Sequence, residues 1–206
     1  MTRLALFDFD GTLADSMPWF LSVFDDIADE FSFRRVTAAE REELRGLGSR
    51  EIVRRLGVSM WKMPRIARRM RARKLAQAHA IPLFADTARL LGTLTARGVR
   101  IAVVSSDSEA SMRCTLGPLA DRIEFFEGGV GMFGKAARLR KALRRARVAP
   151  HEATYVGDEA RDADAAQKAG LRFVAVGWGY ATPAAFAPSI PLATTADELL
   201  RLLAPA

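Results

Sequence analysis

The chain has 206 residues, half of them hydrophobic and 27% charged, with a net charge of +7 and one cysteine. That length buries roughly 70% of the unfolded surface, enough for one sizeable core or a core plus a small appendage. The composition is that of an ordinary soluble globular protein, and the lone Cys114 excludes an internal disulfide, which fits a reducing compartment.

The apolar run in residues 1–7 is too short for a signal peptide or a membrane span, and Asp8 interrupts it. A cytoplasmic protein without a membrane partner is expected. The basic excess is mostly Arg, with lysines only at 62, 74, 135, 141 and 168, and it alternates with Leu and Ala from Leu139 to Arg145. That is the pattern of a solvated helix face. With no base-stacking aromatic pattern beside it, no nucleic-acid partner is expected.

Leu4 to Phe7 reads as a buried strand feeding a loop. Residues 15–82 then contain no convincing strand. Ser16 is placed to cap a helix with Pro18 in its first turn, and Trp19, Phe20, Val23, Phe24, Ile27 and Phe31 form its apolar stripe. Thr37 and Glu40 read as a capping box opening a second helix. Ser49 opens a third, stopped by Gly57, and Pro64 opens a fourth running to about His79. Trp61 reads as core of this insertion, and Arg65 to Lys74 as a solvated face. His79 and His151 have no second His or Cys at metal spacing and read as surface or helix-end residues.

Beyond the insertion, apolar runs recur at Val99–Val104, Thr154–Val156 and Phe173–Val176, with a weaker one near Ile123–Phe126. Helical patterns at Thr87–Arg97, stopped by Gly98, and at Lys135–Arg147 lie between them. Alternating strand and helix predict an α/β fold with a parallel sheet sandwiched by helices. Trp178-Gly179-Tyr180 is expected to pack over the sheet edge, and the tail from Ala181 to loop before a last short helix.

Four clusters carry chemistry. In Asp8-Phe9-Asp10-Gly11-Thr12-Leu13, carboxylates two residues apart on extended chain point the same way, and Gly11 lets the chain turn off sharply. Paired acids at a strand end suit a nucleophile beside a general acid/base, with a cation to relieve the crowding. Asp and Gly are also ordinary turn residues, but the full run continuing Ala14-Asp15-Ser16 outweighs that reading. Ser105-Ser106-Asp107 follows a strand, where a hydroxyl and exposed amides grip a phosphate, or where Ser106 or Asp107 simply caps a helix. Gly134-Lys135 opens a helix with a cation that opposes the macrodipole by about a few tenths of a kcal/mol, which a nearby anion would offset. Gly157-Asp158-Glu159-Ala160-Arg161-Asp162 places acids four apart on one helix face, hard oxygen donors that suit Mg²⁺.

Together these four clusters resemble motifs I to IV of the haloacid dehalogenase superfamily of hydrolases, in order and spacing, across residues 3–176. The all-helical insertion between the first two is similar to the cap of the family's phosphoglycolate phosphatase-like branch. The resemblance implies a Rossmann-like core of residues 1–14 and 83–206, five parallel strands with the first central, and a cap of residues 15–82. It implies a phosphatase for a small phosphorylated metabolite that forms an aspartyl-phosphate on Asp8, with Asp10 as general acid and then base. Mg²⁺ would be held by Asp8, the Asp10 backbone carbonyl and Asp158, with Asp162 a ligand or just behind one. Ser105, Lys135 and main-chain amides near Phe9, Asp10 and Ser106 would hold the phosphoryl oxygens. Asp107 departs from the pattern, standing where many relatives carry Asn.

Asp10 argues against a true dehalogenase, which needs no acid for an alcohol leaving group. A phosphomutase would use the same core residues and remains an alternative. A catalytically idle binding or regulatory relative is disfavoured by the intact Asp8, Asp10, Ser105, Lys135 and Asp158. From Ile52 to Leu83 nine residues are basic and none acidic. Just before that stretch, Arg50 on the short helix opened by Ser49 is the candidate for substrate specificity, pairing with a second anionic group.

Overall fold

Six short apolar runs become strands: β1 (Leu4–Phe7), β2 (Arg100–Val104), β3 (Phe125–Glu127), β4 (Ala153–Gly157), β5 (Arg172–Val176) and β6 (Leu192–Ala193). The computed structural model describes residues 2–45, 47, 49–129 and 134–204, without the side chains of residues 42, 45, 49 and 50. All strand pairs are parallel, in the order β3-β2-β1-β4-β5-β6. β1 thus has a strand on each side, and its four residues are buried throughout, as a strand covered on both faces must be.

The period of two along β1 divides the core. Ala5 and Phe7 face Leu90 and Leu94 of α5 (Thr87–Ala96), Met112 of α6 (Glu109–Leu116) and Leu199 of α9 (Ala196–Leu203). Leu4 and Leu6 face Leu139 and Leu143 of α7 (Lys135–Ala146) and Ala165 and Ala166 of α8 (Ala160–Ala169). The expected five-stranded sheet gains a sixth member in the tail, where Leu192 and Ala193 pair with Ala175 and Val176. Two residues are too few for an alternation to show.

Between β1 and α5 lie α1 (Met17–Phe31), α2 (Ala38–Arg45), α3 (Ser49–Arg55) and α4 (Met63–Gln77). Among the described residues from 15 to 82, none lies in a strand. The chain leaves and returns through one point: Ala14 bridges Leu83, the Asp15 N–H donates to Pro82 O at 2.9 Å, and the Phe84 N–H donates to Leu13 O at 3.0 Å. The Thr37–Glu40 capping box forms, with Thr37 N–H to Glu40 Oε2 at 2.8 Å and Glu40 N–H to Thr37 Oγ1 at 3.3 Å. His79 and His151 are exposed, as expected.

Three local expectations fail. Trp61 is 68% exposed rather than core, because the short 3₁₀ turn Met60–Lys62 carries it outward. Ser16 occupies the N-cap position of α1, yet its hydroxyl does not cap the helix. After β2 the capping residue is Ser108, which accepts from the Ser111 N–H, rather than Ser106 or Asp107. Among the described residues no helix is long and apolar enough to cross a membrane.

Candidate active site

In open parallel sheets, functional groups gather beyond the carboxyl ends of the strands. Here β1 delivers Asp8, β2 delivers Ser105 and β4 delivers Asp158. Asp8 continues the strand register with its N–H on Val156 O, and is 4% exposed. Gly11 then turns back at φ 75°, and a Cβ there would meet Asp158 Oδ2 at 2.1 Å, so only glycine fits this close approach.

The charged groups form two adjoining clusters. In the first, Lys135 of α7 donates to Asp8 Oδ2 and to Asp162 Oδ1, each at 2.6 Å, and is 7% exposed. These two carboxylates offset the unfavourable placement of a cation at a helix N-terminus. Asp158 is fully buried, its Oδ1 accepting from the Thr12 hydroxyl at 2.9 Å and its Oδ2 from the Tyr180 N–H at 2.8 Å. Asp162 holds Lys135 through Oδ1, while Oδ2 accepts from the Glu159 N–H at 3.2 Å. Ligand oxygens of Asp8, Asp158 and Asp162 all lie within 4.8 Å of one another.

Asp10 centres the second cluster. It accepts from the Ser16 hydroxyl at 2.5 Å and pairs with Lys74 of α4, whose ammonium also lies 2.7 Å from Asp107 Oδ2. The two clusters meet through Tyr180, which reaches Asp158 by its N–H and Ser16 by its hydroxyl at 2.6 Å.

The environments pull these acids apart. Burial alone would raise Asp8, but the Lys135 charge and hydrogen bond, with the Arg161 charge and the Phe9 N–H, bring it below the ordinary carboxylate value. Burial raises Asp10, and although Lys74 and Ser16 oppose this, the nearby Asp107 charge helps keep it above the ordinary value. Burial and the charges of Glu159, Asp162 and Asp8 push Asp158 well up. Burial also raises Asp162, to about 6 against the pull of Lys135. Three buried carboxylates this close together could hold a divalent cation, and their all-oxygen donors match a hard one.

Asp8, Lys135, Asp158 and Asp162 are therefore brought together. Ser105 is buried at the end of β2, where its hydroxyl accepts from the Asp107 N–H at 3.2 Å, and Ser106 is half-buried beside it. The Phe9 N–H is turned onto Asp8 Oδ1 at 2.8 Å. Arg50 lies outside the described side chains, and its neighbours Arg54 and Arg55 are engaged with Glu51.

Two expectations are corrected. Lys74 is not on a solvated face: it is 4% exposed and its ammonium sits 5.3 Å from the Phe9 ring, whereas Arg65 and Arg68 on the same helix are exposed. Nor does Trp178-Gly179-Tyr180 merely cover the sheet edge. Tyr180 joins both clusters, Trp178 Nε1 donates to Thr12 O at 3.1 Å, and a Cβ on Gly179 would lie 2.2 Å from Asp158 Cβ.

Comparison with known proteins identifies the family. The family model for haloacid dehalogenase-like hydrolases matches residues 5–176. A phosphoglycolate phosphatase of Synechococcus elongatus is 32% identical over 200 residues, covering 95% of this chain and 94% of that protein. The tyrosine-protein kinase PtkA of Mycobacterium tuberculosis is 30% identical over 185 residues, covering 86% of this chain and 63% of the kinase. Among solved structures, a haloacid dehalogenase-like family hydrolase of Streptococcus pneumoniae superposes with a TM-score of 0.80 at 21% identity, with 98% of each chain covered. The chain belongs to the haloacid dehalogenase-like hydrolase family, among its phosphatases.

Proposed function

We propose that this protein is a Mg²⁺-dependent phosphatase that hydrolyses a small phosphate monoester through an aspartyl-phosphate on Asp8. The observation that carries the reading is the buried cluster of Asp8 with Lys135, Asp158 and Asp162, with Asp10 two residues on against Ser16 and Lys74. Asp8 is held toward its ionised form by Lys135, while Asp10 is pushed toward its protonated form. Such a pair divides naturally into nucleophile and acid.

An Asp8 oxygen attacks phosphorus in line, and Asp10 gives its proton to the departing alcohol oxygen as the ester P–O bond breaks. Asp10, now a carboxylate, takes a proton from water as that water attacks phosphorus, releasing inorganic phosphate and freeing Asp8. Lys135, fixed by Asp162, balances charge on the phosphoryl oxygens, with the Ser105 hydroxyl and the amides of Phe9, Asp10 and Ser106 as further donors. Asp8, Asp158 and the Asp10 carbonyl would hold Mg²⁺, with Asp162 beside them; when bound, the ion supplies charge neutralisation for nucleophile and phosphoryl group alike.

Residues 15–82 act in this reading as a cap hinged at the Ala14–Leu83 bridge, delivering Lys74 to the leaving-group side of the cleft. Ser16, Tyr180 and Asp107 hold the Asp10–Lys74 pair in place. Arg50 is proposed to meet a second anionic group on the substrate. The cytoplasm is the proposed compartment.

Inorganic phosphate release from a generic aryl phosphate tests the reading. Turnover with Mg²⁺ that stops on chelation and returns on Mg²⁺ addition supports it. No release under any metal condition from a folded protein would remove it.

A further inference from the structure

We propose that the leaving group accepted by this site is the apolar body of a hydrophobic alcohol, seated in a cavity between the helical insertion and the sheet. This rests on the phosphatase reading and narrows its substrate class. A partly open cavity of about 740 Å³ lies among α1 to α4, walled by side chains such as Phe20, Phe24, Phe33, Ile52, Met63 and Met70. Drug-sized ligands occupy pockets of roughly 300–1,000 Å³ lined by apolar groups with few polar ones. A two-carbon leaving group would leave most of this volume unfilled.

Interiors close-pack when their side chains have partners. Among the described residues, one buried cluster of the insertion holds Phe24, Val36 and Leu56, with Phe20, Phe33 and Ile52 half-exposed against it. Phe20 and Phe33 each pack on the Phe24 ring, at 5.6 and 5.7 Å between centroids, and their remaining apolar surface lines the opening.

The cavity has a charged end beside the reaction centre, with Asp8, Asp10 and Lys135 themselves outside its wall. Glu159, Arg161 and Tyr180 line it there, and the Arg161 charge is among those that lower the Asp8 carboxyl. Tyr180 holds Asp158. Arg161 also keeps a buried Nε without a hydrogen-bond partner, as does Arg41 elsewhere on the wall. A phosphate monoester matches this polarity. Its dianionic end belongs at Asp8, Lys135 and Arg161, its body lies along the aromatic and aliphatic wall, and one acceptor on that body would meet Arg41.

The test uses the full chain with Mg²⁺ and linear alkyl phosphates from ethyl to octyl, whose leaving alcohols differ little in acidity. Burial of each added methylene predicts kcat/KM rising roughly threefold per carbon, so at least about 10²-fold over the series. Met70→Trp, which fills the cavity from α4, should flatten that rise across the series. A flat or falling dependence in the wild-type protein overturns the proposal while leaving a phosphatase. Calorimetry with the non-hydrolysable ethyl and octyl phosphonates reads the cavity without chemistry. Octyl phosphonate should bind at least about 10²-fold tighter; equal affinities count against the cavity whatever the turnover data show. Tight octyl phosphonate binding with no turnover of any ester would instead defeat the phosphatase reading alone. Where Met70→Trp does not fold, Met63→Phe serves the same purpose.

Discussion

The two sides of the cleft are built differently. The sheet side packs Asp8, Asp158, Asp162 and Lys135 into one buried cluster in which each charge touches or neighbours another. The insertion side presents an apolar wall and brings one buried lysine, Lys74, to the acids across from it. A dense polar cluster on a rigid sheet has little freedom to vary, since one missing partner leaves a charge buried and unpaired. An apolar wall on short helices tolerates exchange of side chains of similar volume. On this account the sheet side carries the reaction and the insertion side selects what reacts.

That division is best broken from the sheet side. Asp8→Asn should abolish turnover with every substrate, because an amide forms no acyl-phosphate; steady-state phosphate release, with contaminating phosphatase excluded, checks it. Asp10→Asn should slow hydrolysis by roughly 10²–10⁴-fold, as expected for loss of an acid/base, and least in the phosphorylation step with a good leaving group. Equal slowing of phosphorylation for good and poor leaving groups would argue against the acid role. Asp158→Ala should raise the Mg²⁺ concentration for half-maximal activity by at least roughly 10²-fold, since disturbing even outer contacts of a metal site costs 10–100-fold. An unchanged metal titration would move the site toward Glu159 or Asp162.

How these residues could be read from sequence differs between the two sides for a physical reason. Asp8 and Asp10 follow β1 directly, and Asp158 follows β4 just ahead of α8, which carries Asp162, so the strand ends already locate these acids. Lys135 stood out by its unfavourable place at a helix N-terminus. Lys74 has no such mark. It shares α4 with exposed arginines, and only the packing of α4 against α6 turns it inward. Tyr180 is placed by the chain path after β5, and its contacts with Asp158 and Ser16 span 22 and 164 residues. Ser16 illustrates the same limit, because its position at a helix start was right and its hydrogen-bond partner was not local. The sixth strand, two residues long, escaped for want of a pattern.

The smallest expected effect sharpens the comparison from the insertion side. Lys74→Met should lower kcat/KM by roughly 10–10²-fold through misplacement of Asp10, with partial recovery in Lys74→Arg. Arg68→Met, an exposed charge on the same helix, should change nothing. Equal effects of Lys74→Met and Arg68→Met in parallel assays would return Lys74 to the solvated face.

The central claim is that Asp8 becomes phosphorylated. The direct measurement is mass spectrometry of the Asp10→Asn protein, acid-quenched during turnover of an aryl phosphate with a good leaving group. The account predicts a phosphoryl group on the peptide containing Asp8, absent from the Asp8→Asn protein. Phosphate release without any protein-bound phosphoryl, or a phosphoryl group on another residue, would contradict it.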